Sequence, residues 1–279
     1  MPGNVGTSPS IFISSQSFGR LADAGRAILQ RFFEWFGELG FFCSHLAKAM
    51  FTPPYEWRET MRQMDAVGAL SLPLVALAGG ATGVVMAMQL RDSLTMFGAK
   101  SLLPAVIIFS LLKETGPVIT GLVVGGRVGA GIGAELGSMR VTEQIDAMEA
   151  SAVDPFKFLV TTRVIACLTM LPLLTLAADF CGIIMGWIAS TLVEPISLKL
   201  FITSGMKDVA FRDFLLPTFR TTVFGLIIGI VASFQGMRTR GGTEGVGRAA
   251  TSSVVLSSLF LILADVVLVK IILVFFREG

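Results

Sequence analysis

The chain has 279 residues, of which 53% are hydrophobic and only 15% charged, and its net charge is +2. A soluble globular domain carries about 25% charged residues, so this composition excludes that class and predicts an integral membrane protein. The net charge itself says little, and no nucleic-acid partner is expected.

Residues 1 to 19 are rich in Ser and Gly and lack the basic start and apolar core of a secretory signal, so a disordered segment is expected there. From 20 to 48, Ile28, Phe32, Trp35, Phe36, Leu39, Phe42 and Leu46 recur at helical spacing. Arg20, Asp23, Arg26, Arg31, Glu34 and Glu38 fill much of the remainder. That pattern predicts an amphipathic helix lying in the membrane interface. Pro53-Pro54 ends it, Tyr55 and Trp57 read as interfacial anchors, and residues 56 to 65 are too charged to span. Residues 20 to 66 are therefore an interfacial region and 67 to 279 a five-span domain.

The spans are predicted at 67–90, 104–126, 158–192, 214–234 and 253–276, each reaching the ~20 residues that a bilayer core requires. The expected fold class is all-α, with the termini on opposite sides. Thirteen Lys and Arg fall on the N-terminal side of this topology and seven, Arg220 among them, on the other. That bias favours a cytoplasmic N-terminus and a periplasmic C-terminus. Segment 194–213 is expected to form an interfacial helix on the far side, and the Gly- and Arg-containing stretch 235–248 a flexible connection.

Gly121, Gly125, Gly129, Gly133 and Gly137 fall four residues apart. In a soluble helix each would cost about 1 kcal/mol against Ala, whereas in a bilayer small residues at this spacing permit close helix packing. Helix packing is assigned to Gly121, Gly125 and Gly129. A four-residue step overshoots a 3.6-residue turn by about 40°. The run therefore either meets several neighbours in turn or breaks near Arg127.

After the second span, Glu143, Asp146 and Glu149 recur on one side of a short helix, and Ile145, Met148 and Ala152 on another. Thr142 is placed to cap its start and Asp154-Pro155 to end it. The helix either rests on the membrane surface or docks into a partner protein. Acidic residues suit a negatively charged inner leaflet poorly, which favours docking.

Lys113, Glu114, Asp179, Asp265 and Lys270 fall within spans. There an ionisable group costs about 2.5 to 3.5 kcal/mol even on the lenient insertion scale, so each is expected to face protein or a watery cavity. Glu114 is predicted to share the face of Gly121 and point into the packed interior, with Lys113 directed elsewhere. From the residues alone, Glu114 reads equally as a structural partner or as polar lining of a cavity. Asp265 leans to structural pairing, Asp179 is structural, and Lys270 snorkels. Cys43, Cys167 and Cys181 have no paired spacing, and the single His45 cannot build a metal site, so no metal is expected. Gly98-Ala-Lys100-Ser lacks the glycine spacing of a phosphate loop, and Gly129-Ala-Gly131-Ile-Gly133 follows a membrane helix rather than a strand. Nothing supports catalysis, and ATP-driven work would have to come from another polypeptide.

Several stretches together resemble the MlaE/YrbE permease family. They are Lys113-Glu-Thr-Gly-Pro, Gly126-Arg-Val-Gly-Ala, Ala134-Glu-Leu-Gly-Ser-Met, Val141-Thr-Glu-Gln-Ile-Asp-Ala-Met-Glu, Val153-Asp-Pro and Leu171-Pro-Leu-Leu-Thr. The resemblance covers residues 60 to 276 and is densest from 113 to 175. It implies a homodimeric inner-membrane permease of an ABC-type transporter that moves phospholipids between the two membranes of a diderm envelope. It also implies a cytoplasmic ABC ATPase, a STAS-domain subunit on that ATPase, and a periplasmic ring of MCE domains. ATP and Mg would be bound by the ATPase, and this chain would hold no cofactor. By the resemblance, ATPase coupling falls on Met139, Arg140, Thr142, Glu143, Gln144, Asp146 and Glu149. Substrate contact falls on Glu114 and Lys113, and more weakly on Asp265. The alternatives are an ion-coupled secondary carrier, weakened by the lack of matching half-sequences, and a non-transporting membrane scaffold.

Overall fold

The computed structural model describes residues 15–53, 55–207, 209 and 211–276. Positions 1–14 of the expected disordered stretch lie outside them, and from Ser15 onward the chain is helical. Every regular element among the described residues is a helix, as the composition required.

The chain divides into two compact units, Met1–His45 and Leu46–Gly279. Helix α1 (Ser15–Phe51) supplies the described part of the first. Its Leu29, Phe33, Phe36 and Phe41 are exposed.

In the second unit, α2 (Trp57–Gly68) turns at Ala69–Ser71 into α3 (Leu72–Met96). Five helical segments are long and apolar enough to cross a membrane: Trp57–Met96, Lys100–Val141, Phe156–Thr191, Arg212–Met237 and Gly242–Val274. The number matches the sequence reading. The segments run longer than expected because their helices continue into polar sequence beyond the apolar stretch.

The second segment is not a uniform rod. Helices α4 (Leu103–Ser110), α5 (Gly116–Val124) and α6 (Ala130–Val141) are joined by π-turns at Leu111–Thr115 and Gly125–Gly129. A π-turn closes i→i+5 hydrogen bonds and takes in an extra residue without ending the helix. The chain therefore widens at Arg127 instead of breaking. The glycines meet α10 (Phe211–Met237), α11 (Gly242–Phe276) and the link between them. Gly121 lies against Phe224 and Leu261, Gly125 against Ile228, Gly129 against Ile228 and Ser257, Gly133 against Ser253, and Gly137 against Thr239.

The closest helix approaches are elsewhere, on α8 (Thr162–Thr191). A β-carbon at Gly79 or Gly83 of α3 would collide with the backbone of Ala178 or Gly182, and one at Gly225 of α10 with the backbone of Cys167. At Gly125 and Gly129 a β-carbon would have its nearest neighbours at 3.6 and 3.8 Å, ordinary contact distances. Helix α8 is thus the post on which α3 and α10 lean. The main core gathers around it, with Val75, Val124, Leu171, Phe224, Ile228 and Leu261 fully enclosed.

Two connections depart from expectation. Helices α10 and α11 extend so far that only Arg238–Gly241 links them, and Gly241 and Gly242 take the left-handed turn at φ 91° and 70°. Asp154-Pro155 does not end α7 (Gln144–Ala150) but starts the third span. The Asp154 carboxylate accepts from the amides of Phe156 at 3.0 Å and Lys157 at 3.3 Å, capping the π-turn Phe156–Thr161. The interfacial helix expected in 194–213 is α9 (Leu198–Met206), capped by Ser197 and anchored by the buried Phe201.

Candidate functional site

The π-turn Leu111–Thr115 carries Lys113 and Glu114, and it corrects the expected placement of Glu114. Gly121 is buried, but the Glu114 side chain is 54% exposed. The extra residue of the π-turn rotates Glu114 off the glycine face. The two neighbours do not pair with each other. Lys113 Nζ lies 3.0 Å from Asp213 Oδ1 and 4.2 Å from the centre of the Phe109 ring. Glu114 Oε2 lies 3.5 Å from a terminal nitrogen of Arg220.

Arg220 is the hub of this cluster. Its side chain is almost wholly buried on α10, and its other terminal nitrogen donates to the Lys113 carbonyl at 2.8 Å. Its Nε stands 3.3 Å from Asp265 Oδ1 on α11, close enough for an ion pair but not aligned as a hydrogen bond. Three helices therefore meet at one guanidinium, and Asp265 has the ionic partner it was expected to need. The sequence reading missed Arg220 by counting it with an outside loop. The signal was available, because Arg220 lies inside the apolar run 214–234 and such a cation requires a partner.

The cluster opens on a groove of about 850 Å³ lined by Glu114, Asp265 and Lys270 with Val266, Val269 and Leu273. Through Glu114, Val269 and Leu273 it continues into a pocket of about 330 Å³ that adds Lys113, Arg212, Asp213 and Arg220. The Glu114, Lys113 and Asp265 singled out from sequence thus come together, with Arg220 between them. Asp179 lies apart from this lining. It is buried on α8 against Gly116, and its Oδ1 has no hydrogen-bond partner among the described residues.

A second group lies around α7. Thr142 does not cap this helix; its hydroxyl donates to the Ser138 carbonyl at 2.8 Å. Glu143 and Ala152, both at φ 58°, bracket α7 in the left-handed conformation. Ile145 is completely buried and pins the helix to the core. Met139 is partly buried against the same core cluster. Thr142, Glu143, Gln144, Asp146 and Glu149 are exposed together. Arg140 donates to Asp146 Oδ1 at 2.6 Å and ties α6 to α7.

Two more buried or half-buried arginines brace this end. Arg163 bonds the Leu159 carbonyl at 2.8 Å and lies 2.8 Å from Glu135. Arg127, in the second π-turn, donates to Ser71 Oγ at 2.6 Å and to the Ala66 carbonyl at 3.3 Å, holding the α2–α3 corner. At the opposite end, Glu194 Oε1 receives Lys100 at 2.8 Å and Arg91 at 3.5 Å. The Lys100 hydrogen bond and charge, helped by Arg91, hold the Glu194 carboxyl below the usual range.

The arrangement offers a mixed-charge cluster on an apolar wall at one level, and an exposed acidic helix at another. The family described as Permease MlaE matches residues 60–271. A Rickettsia typhi protein named "Probable ABC transporter permease protein" is 36% identical over 220 residues, 79% of this chain and 85% of its own. A Synechocystis protein with the same description is 37% identical over 208 residues, covering 75% and 79%. The Arabidopsis thaliana protein named "Protein TRIGALACTOSYLDIACYLGLYCEROL 1, chloroplastic" is 34% identical over 223 residues, covering 80% of this chain and 63% of its own.

Proposed function

The chain belongs to the MlaE permease family, and on that premise we propose that it is the membrane subunit of an ABC-type transporter that moves phospholipids between the inner and outer membranes, driven by a separate ATPase. The observation that carries this reading is the groove. It sets Glu114, Arg220 and Asp265 against Val266, Val269 and Leu273, so that a polar headgroup and an apolar chain each find a matching surface. The name of the Arabidopsis relative is that of a galactosyl glycerolipid, which supports a lipid cargo in the broad sense, and the names of the bacterial relatives include "ABC transporter", which supports the energy source.

In this reading the chain is a homodimeric protein of the bacterial inner membrane, with a cytoplasmic N-terminus and a periplasmic C-terminus. The exposed face of α7, with Glu143, Gln144, Asp146 and Glu149, docks on the ATPase, which binds ATP and Mg. A STAS-domain subunit accompanies the ATPase, and a periplasmic MCE ring receives or delivers the lipid. Ile145 and the Arg140–Asp146 pair make α7 and α6 one lever. Its movement passes along the second span to the π-turn that holds Lys113 and Glu114.

Native purification in mild detergent, followed by identification of bound proteins and lipids, tests the proposal. An ATPase and phospholipid are expected to co-purify. A permease that carries cargo in vesicles with no ATPase would instead be an ion-coupled carrier. A scaffold would show unchanged lipid movement after Glu114→Ala.

A further inference from the structure

We infer that the groove prefers a phospholipid whose headgroup carries net negative charge over a zwitterionic one; this rests on the phospholipid reading above. The inference comes from the charge balance of the lining. Across the groove and the pocket it joins, the carboxylates are Glu114, Asp213 and Asp265, and the cations are Lys113, Arg212, Arg220 and Lys270. Four positive charges against three negative ones leave one positive charge in excess.

That excess has a definite place. Every carboxylate is engaged: Asp213 lies 3.0 Å from Lys113, and Glu114 and Asp265 share Arg220 at 3.5 and 3.3 Å. Arg212 and Lys270 are exposed to the lining, and neither forms an ion pair among the described residues. They also lie toward the same end of the cluster. The short link Arg238–Gly241 makes α10 and α11 antiparallel, so running back from Arg220 to Arg212 and forward from Asp265 to Lys270 leads the same way. The rises along the two helices are about 12 and about 8 Å. A headgroup entering from that end meets two unmatched cations before it reaches the paired charges. A phosphate there gains charge-assisted contacts. A zwitterionic head brings an ammonium beside the same two cations and leaves the lining positive, whereas a net anionic head neutralises it.

The test uses the purified full-length chain in mild detergent, incubated with equal amounts of phosphatidylglycerol, phosphatidylethanolamine and N-acetyl phosphatidylethanolamine. Bound lipid is read by native mass spectrometry. Acetylation removes the ammonium and keeps the phosphate, so it separates net charge from the chemistry of the glycerol head. Wild type is expected to retain each anionic lipid about fivefold over phosphatidylethanolamine. An Arg212→Gln, Lys270→Gln double variant breaks no ion pair and is expected to bring both ratios to about one while lipid is still bound. Lys199→Gln, at an exposed cation of α9 outside the lining, is expected to keep the preference. Soluble glycerol phosphate in excess is expected to leave the bound lipid in place. Equal or better retention of phosphatidylethanolamine by wild type overturns the inference and leaves phospholipid carriage standing. So does a preference that survives in the double variant or vanishes in Lys199→Gln, because its source is then not the groove. Displacement by glycerol phosphate would assign the two cations to a free phosphate and overturn the inference as well. Retention of no phospholipid at all overturns the transport reading and the inference with it. If the double variant does not fold, the wild-type and Lys199→Gln comparisons decide.

Discussion

The Nε of Arg220 stands 3.3 Å from Oδ1 of Asp265, which places the buried guanidinium of α10 between the carboxylate of α11 and that of Glu114 in the second span. Such a cluster is tolerable inside a bilayer only as a whole, because each charge offsets the desolvation of another. It also fixes the π-turn, since Arg220 holds the Lys113 carbonyl at 2.8 Å.

Replacing Arg220 should therefore expose the cost of what it neutralises. Arg220→Met is expected to destabilise the folded chain by about 3 kcal/mol, because Asp265 is left enclosed without a cation. Arg220→Lys should not restore stability, since one ammonium cannot reach two carboxylates and a carbonyl as a planar fork does. Thermal unfolding in detergent reads both variants. An unchanged midpoint for Arg220→Met would show that the cluster contributes nothing to the fold.

The glycines divide into two classes. Gly83→Val is expected to separate α3 from α8 and cost at least about 1–3 kcal/mol, because its β-carbon meets the Gly182 backbone. Gly125→Ala should stay within about 0.5 kcal/mol of wild type, since its β-carbon would stand 3.6 Å from Ile228. Gly125→Leu overpacks the same site. Detergent unfolding curves for all three give the order, and an equal loss for Gly83→Val and Gly125→Ala would contradict it.

Helix α7 separates anchoring from docking. Ile145→Ala removes a fully buried side chain and should cost about 2–4 kcal/mol of stability. A Glu143→Lys, Glu149→Lys double variant changes only exposed groups, keeps the Arg140–Asp146 pair and should leave the unfolding midpoint near that of wild type, while ATPase recovered in pull-down falls more than about tenfold. Undiminished recovery would remove α7 from the docking surface.

The contact of Glu194 with Lys100 and Arg91 gives a pH dependence of known sign. The folded-state pKa of Glu194 is depressed below its ordinary 4.5. Its contribution is therefore fully present above that value and lost as pH falls through the lower, folded value. Amide exchange at Thr191–Ile196 should rise below pH 4.5 in wild type, and Glu194→Gln should remove that acid-induced step. A step that survives in the variant would assign it to another group.

The sequence made the spans legible because a bilayer demands about 20 apolar residues and little else. The meeting of Glu114, Lys113 and Asp265 was legible because charges at depth must converge on protein or water. The orientation of Glu114 was not, since a 3.6-residue period carries no sign of where a π-turn adds a residue. Arg220 was hidden by its flanks: Arg212 and Asp213 make the start of α10 look like loop. The role of Asp154 was misread because a residue before proline is as compatible with starting a helix as with ending one. The tightest helix contacts escaped notice because the regular glycine run is more conspicuous than Gly79, Gly83 and Gly225, although these three press directly on the backbone of α8.

The order of the chain gives the Arg220 cluster a bearing on biogenesis. During synthesis α10 emerges before α11, so Arg220 reaches the insertion machinery while Asp265 is still untranslated. Its first available acceptors are then Glu114 and the Lys113 carbonyl, already delivered in the second span. Span two would act as a cradle that lets span four leave the translocon, and a lesion at Glu114 would appear as a topology defect as well as a loss of transport.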